Sequence, residues 1–357
     1  MVVGAAGVGA KEEAVLIVAI VPYQKNSAII SDDNCYQLIQ RIRRIRMTGL
    51  ILYMKAAQEL DSSDYVISRF LEAGESLGIK FTVCTPGEIT FMTESRQLKL
   101  AGQNYPVPSF VIPCLLFDSY YKVAVVRQLE SLGTYSLNPI DFMLKARDKL
   151  DTQQVLSAHG FPALKTKLVN LDRLARRFIP PIDISSVEQD LGYPVIVKNI
   201  TGACGYGINL CNDEAELQNL VELIYLNNKQ AKILLQEYIS ASSGSALRVY
   251  VLGGAVIGHM KHSSSNSFKS NYKADTKIEP FELTQEVIDM SVKIAKLFNL
   301  EMTGIDYLFD TDGMKVCEVN AFPGFKGLEK ATGQDIATIV LKHIQQNLSS
   351  MKANEKK

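Results

Sequence analysis

The stretch that most constrains this chain is GIDYLFDTDGMKVCEVNAFPG, Gly304 to Gly324. It reads as two strands joined by a tight turn at Thr311, Asp312 and Gly313. A three-residue hairpin loop with glycine last is a favoured type, because that position is left-handed. Such a loop pairs Asp310 with Met314 and therefore sets Asp306 opposite Glu318. Strand alternation then puts Asn320 on the same face, where a core hairpin would carry apolar groups. Two adjacent carboxylates repel in a partly dry site unless a cation lies between them. Two carboxylates and an amide form a hard-oxygen set suited to Mg²⁺, which keeps few protein ligands beside phosphates and water. A calcium loop does not fit, since Gly313 in its sixth position would make Leu308 the first ligand and Val319 the twelfth. Charges exposed on an ordinary sheet face are the competing reading.

At roughly 150 residues per domain, the 357 residues allow two or three domains. Lys plus Arg (38) balance Asp plus Glu (38), so net charge gives no case for nucleic acid or an anionic membrane as partner. The six cysteines include no C-x-x-C pair, and they read as reduced thiols of a cytoplasmic protein. The longest apolar run, Ala14 to Val21, is far shorter than the roughly 18 residues of a membrane span. Lys11, Glu12 and Glu13 precede it, unlike a signal peptide.

Residues 1–46 look unlike the rest and read as an atypical extension ending in RIRRIR. Residues 47–138 alternate strand and helix, which predicts a small α/β domain on a parallel sheet. Its first helix is expected to be capped by Ser62 or Ser63 and stopped by Gly78. One long helix is expected from Pro139 to Gly160. Residues 139–235 then form an α+β lobe, residues 236–346 a second lobe holding the hairpin, and residues 347–357 a frayed tail.

Two other segments carry chemistry. VKNITGACGYGINL sets Gly202, Gly205 and Gly207 between two strands, with neither a Walker Gly-Lys-Ser/Thr nor a Rossmann spacing. Such a loop can fold its N–H groups over phosphates, and Lys198 in the apolar strand before it needs an anion. A plain turn with an edge lysine is the competing reading. In LLQEYI, Glu237 and Tyr238 interrupt an apolar strand; a carboxylate and an aromatic there can flank a ring and its amino group.

Taken together, the order and spacing of these pieces resemble the ATP-grasp superfamily and, within it, the RimK-like carboxylate–amine ligases, from Met47 to about Ile344. NPIDFMLKARDKLDTQQVL, YPVIVKNITGACGYGI, LLQEYI, FKSN, GIDYLF and CEVNAFPGFKGLEKATGQDIA carry the likeness. The resemblance implies a two-lobed ATP-grasp fold with nucleotide between the lobes. It implies that Lys149 and Lys198 hold ATP phosphates, with Gly202, Gly205 and Gly207 as the lid. Glu237 and Tyr238 would meet the adenine largely through backbone groups, and Lys269, Ser270 and Asn271 would line the triphosphate and the second metal. Asp306, Glu318 and Asn320 would hold two Mg²⁺ ions, for which Mn²⁺ can substitute. Arg248 would steady the transferring phosphoryl group or the tetrahedral intermediate.

The implied activity is ATP-dependent amide formation between a carboxylate acceptor (a protein or peptide C-terminus, or a small acid) and an amino acid such as glutamate. A homo-oligomer is compatible with the family. Four positions depart from its pattern: Ala246 replaces an Asp, and Cys114, His262 and Lys269 replace arginines. Lost guanidinium forks weaken bidentate carboxylate recognition, so a relaxed amino-acid preference is expected. A non-catalytic ATP-binding scaffold and a different ATP-grasp enzyme class are the alternatives.

Overall fold

The structure is a computed structural model that describes residues 47–94, 96–169, 184, 186–200, 205, 207–264, 267–269 and 276–354. Expectations for residues 1–46, Gly202, Ser270 and Asn271 lie outside these residues.

The first sheet is parallel, in the order β2-β1-β6-β7, from β1 (Met47–Leu52), β2 (Ile79–Cys84), β6 (Phe110–Pro113) and β7 (Tyr135–Ser136). Helix α1 (Tyr65–Leu77) buries Ile67, Phe70, Ala73 and Gly74 at helical spacing and ends at Gly78, whose φ of 69° is the left-handed cap expected of it. Its N-cap is Asp64 rather than Ser62 or Ser63. That carboxylate is held instead by the Tyr53 hydroxyl at 2.6 Å and Lys55 Nζ at 2.8 Å. A three-stranded antiparallel meander, β3 (Ile89–Met92), β4 (Gln97–Leu100) and β5 (Gln103–Tyr105), follows β2 and was not legible in its mostly polar sequence. Helix α2 (Tyr120–Ser131) covers the sheet through Val123, Val125, Val126 and Leu129.

The helix expected as one piece is two, α3 (Ile140–Arg147) and α4 (Lys149–Ala158), broken at Asp148. Asp148 adopts ψ 110° and its side chain accepts from the N–H groups of Leu150 and Asp151, so it stops one helix and caps the next.

The second lobe is an antiparallel sheet in the order β10-β9-β11-β8, from β8 (Thr166–Leu168), β9 (Val195–Asn199), β10 (Asn209–Cys211) and β11 (Ile233–Glu237). The short α5 (Val187–Asp190) and α6 (Glu214–Asn227) accompany it, α6 capped by Asp213 as its sequence suggests. Because β11 runs to Glu237, this lobe does not stop at residue 235.

The third sheet, β14-β13-β12-β15-β16, contains β12 (Ser245–Leu252), β13 (Ala255–Ser263), β14 (Lys277–Glu279), β15 (Met302–Asp310) and β16 (Gly313–Asn320). Helix α7 (Gln285–Leu297), capped by Thr284, packs on it, followed by α8 (Lys326–Thr332) and α9 (Ile336–Asn354). The tail expected to fray from 347 is helical to Asn354, because Leu348 is buried and Asn347 donates to Glu301 at 2.7 Å. One apolar cluster joins Ile51, Phe70 and Phe110 to Phe325, Val340 and Ile344, so the core is continuous between the first sheet and α8–α9.

Candidate active site

The hairpin β15–β16 reaches the expected pairing by an unexpected route. Asp310 pairs with Gly313 and Phe309 with Met314, one residue out of the expected register. A β-bulge at Cys317 absorbs the difference, so Asp306 still faces Glu318 and Gly304 faces Asn320. The bulge is supported from α4: Gln153, buried, donates through Nε2 to the carbonyls of Val316 at 3.2 Å and Cys317 at 3.0 Å. Its Oε1 accepts from Leu164 N at 2.9 Å, so the whole amide is used. Sequence reading missed Gln153; the available signal was a polar residue on the buried side of its helix.

The two carboxylates are neutralised by cations of the chain. Arg248, beside Asp306 across β12–β15, donates through Nε and an Nη atom to the two Asp306 oxygens at 2.5 Å each. Burial works against the Arg248 charge, yet the Asp306 carboxylate outweighs it and holds the guanidinium pKa above its usual range. Asn320 Nδ2 donates to Asp306 at 3.1 Å, and Lys149 Nζ lies 3.1 Å from Glu318. The oxygen donors suit a hard divalent cation, which would have to share Asp306 and Glu318 with Arg248 and Lys149.

Lys198, only 8% exposed on β9, reaches the bulged Cys317, with Nζ 3.8 Å from Sγ. Burial pushes the Cys317 thiol pKa up, and the Lys198 ammonium partly offsets this. Lys198 thus meets the hairpin from the opposite sheet.

Glu237 ends β11 with its carboxylate accepting from Lys165 N and Lys315 Nζ, both at 2.8 Å. Its backbone N–H is also used, donating to Lys165 O at 3.1 Å. Lys269 Nζ donates to Gly205 O at 3.3 Å, and Gly205 and Gly207 take φ of 74° and 72°, which favour glycine. A cleft gathers Lys149, Lys198, Glu237, Tyr238, Arg248, Lys269, Asp306 and Glu318 on its walls. Ala246 also lines it, whereas Cys114 follows β6 in the first sheet and His262 lies buried on β13.

Two antiparallel sheets contribute the walls of this cleft, and comparison with known proteins gives the class. Residues 146–344 match the RimK-like ATP-grasp domain, and the chain belongs to that family. It is 32% identical over 299 residues to a probable alpha-L-glutamate ligase of Marinomonas sp., covering 82% of this chain and 96% of that one. A second relative, probable alpha-L-glutamate ligase 2 of Pseudoalteromonas atlantica, is 32% identical over 288 residues, covering 79% and 92% of the two chains. Among solved structures, the ATP-grasp ligase PsnB with its minimal precursor superposes with a TM-score of 0.62 at 21% identity, covering 84% of this chain and 98% of that one. D-alanine–D-alanine ligase from Bacillus anthracis with ATP gives a TM-score of 0.62 at 16% identity, covering 87% and 99%. The chain is therefore an ATP-using ligase that joins a carboxylate to an amine. No helix among the described residues is long and apolar enough to cross a membrane.

Proposed function

We propose that ATP lies in the cleft with its base at the Glu237–Tyr238 backbone and its phosphates between Lys149, Lys198 and Lys269. The convergence of Lys149, Lys198 and Arg248 with Asp306 and Glu318 in one cleft carries this reading. Cations gathered beside acidic oxygens suit a polyphosphate with its counter-ions, and a plain core would not collect them. Asp306, Glu318 and Asn320 would hold two Mg²⁺ ions, or Mn²⁺, which supply charge neutralisation at the phosphates when bound.

The acceptor carboxylate attacks the γ-phosphorus and the bond to the β-phosphate oxygen breaks, giving an acyl phosphate and ADP. The amine then attacks the acyl carbon, loses a proton and expels phosphate, leaving an amide. Arg248, on the wall of the cleft, would stabilise the charge that develops on the transferring group. Gly205 and Gly207 belong to the segment that would close over the phosphates and keep water from the acyl phosphate. The added unit is glutamate or another amino acid, as the names of the two relatives suggest. The acceptor is a protein or peptide C-terminus, or a small acid.

The mechanism is tested by heavy-oxygen labelling of the acid that stimulates ADP release in a substrate screen. One labelled oxygen should appear in the released phosphate. Unlabelled phosphate accompanying amide formation would contradict the acyl-phosphate route.

A further inference from the structure

Successive side chains of a regular strand point to opposite faces. Cys317 and Glu318 do not: both line the cleft, Cys317 with Sγ 3.8 Å from Lys198 Nζ and Glu318 with Oε1 3.1 Å from Lys149 Nζ. The bulge is the cause. Tyr307 pairs with Val316 and Asp306 with Glu318, which leaves Cys317 as the extra residue. Without it, Val316 opposite Tyr307 would set Cys317 opposite Asp306. Glu318 would then turn into the apolar layer of Ile305, Tyr307 and Val316, because a one-residue slip exchanges the two faces.

Gln153 holds the strand in its bulged form. Successive carbonyls of a regular strand point to opposite edges, so one nitrogen cannot reach both. Gln153 Nε2 donates to two of them, Val316 O at 3.2 Å and Cys317 O at 3.0 Å, while Leu164 N donates to its Oε1 at 2.9 Å. Gln153 also lies one turn beyond Lys149 on α4, so one helix meets the bulge and the carboxylate that follows it. We propose that Gln153 is a positioning residue for the metal-binding carboxylates: by fixing the bulge at Cys317 it turns Glu318 to the side of Asp306. This rests on the reading of Asp306 and Glu318 as metal ligands.

The test measures Mn²⁺ binding to the full chain with ADP by electron paramagnetic resonance, with the melting temperature of each variant recorded. Val316 N remains held by Pro162 O at 2.8 Å, so Gln153→Met should fold with reduced stability. Its Mn²⁺ affinity should fall about tenfold or more, and the Mg²⁺ concentration for half-maximal ADP release should rise in step. Should it not fold, Gln153→Glu, which keeps the side-chain length and the bond from Leu164 N, takes its place with the same expectation. Tyr307→Phe is the structural control. It removes a hydrogen bond with Ser291 at 2.7 Å on the same hairpin and should leave Mn²⁺ affinity unchanged. Wild-type Mn²⁺ affinity in the folded Gln153 variant, or an equal weakening in Tyr307→Phe, would overturn the assignment. Glu318→Ala is measured alongside. If it loses Mn²⁺ while the Gln153 variant does not, only this inference fails; if it binds Mn²⁺ like wild type, the metal reading fails as well.

Discussion

Arg248 and Asp306 meet side by side on adjacent strands, guanidinium to carboxylate, through two hydrogen bonds of 2.5 Å. Both side chains are largely buried, so the pair is a structural element as well as part of the cleft. Removing one member leaves an uncompensated buried charge, which costs about 3–5 kcal/mol. Asp306→Ala should therefore lose stability together with function, and Arg248→Ala likewise. The double variant Arg248→Met/Asp306→Leu should recover much of that stability while remaining inactive. Urea denaturation of the three proteins checks this; a double variant no more stable than either single one would contradict it.

Lys198 offers the opposite case. Its ammonium is buried, with Cys317 Sγ at 3.8 Å as a weak acceptor. Lys198→Ala should be neutral or slightly stabilising in the absence of nucleotide, yet weaken ATP binding by at least about tenfold. Thermal melts and ATP titration separate the two effects. A large stability loss with unchanged ATP affinity would mark the lysine as purely structural.

Asn138 is fully buried and ties three backbone segments together. Its Oδ1 accepts from Glu301 N at 2.8 Å and Met302 N at 3.0 Å, while Nδ2 donates to Met302 O and Ala321 O. Asn138→Leu strands four backbone groups and should cost upwards of about 3 kcal/mol. Asn138→Asp should be nearly as damaging, since a carboxylate cannot donate to the two carbonyls. Denaturant midpoints within experimental error of wild type would refute this.

Glu301 gives a pH dependence of known sign. Burial works to raise its pKa, but hydrogen bonds from His343, Tyr135 and Asn347 lower it below the usual 4.5. A depressed carboxylate contributes stability in full above the unfolded value, and that contribution is lost as pH falls through the folded value. The stability difference between wild type and Glu301→Gln should thus be constant well above about pH 4.5 and shrink below it. A difference that grew on acidification would contradict the assignment.

The hairpin shows how far the sequence could be read. Its strands, its glycine and the facing of Asp306 and Glu318 followed from alternation and turn chemistry. The turn itself closes one residue earlier than expected, and the bulge at Cys317 restores the pairing. That bulge depends on Gln153, Pro162 and Ala163, which are remote in sequence from the hairpin. Local pattern carries no such information. The break at Asp148 was hidden for a different reason, since the apolar spacing of α3 and α4 reads as one helix. Lys198 stood out because a charge interrupts an apolar strand, whereas Gln153 and Asn138 are buried amides that read as ordinary polar positions. The parallel sheet of the first lobe was legible, but its shared core with α8–α9 joins residues far apart in the chain.

The central claim is that ATP cleavage depends on the carboxylates of this hairpin, and Glu318 tests it most cleanly. It is less buried than Asp306 and pairs with Lys149, so its loss should leave the fold intact. The measurement is ADP release with Mg²⁺ and a panel of amino acids and short acidic peptides, in wild type and Glu318→Ala, with the melting temperature of each recorded. The account predicts substrate-stimulated ADP release by the wild-type enzyme and a fall of at least about a hundredfold in a normally folded Glu318→Ala. Wild-type-like ADP release by that variant would contradict it.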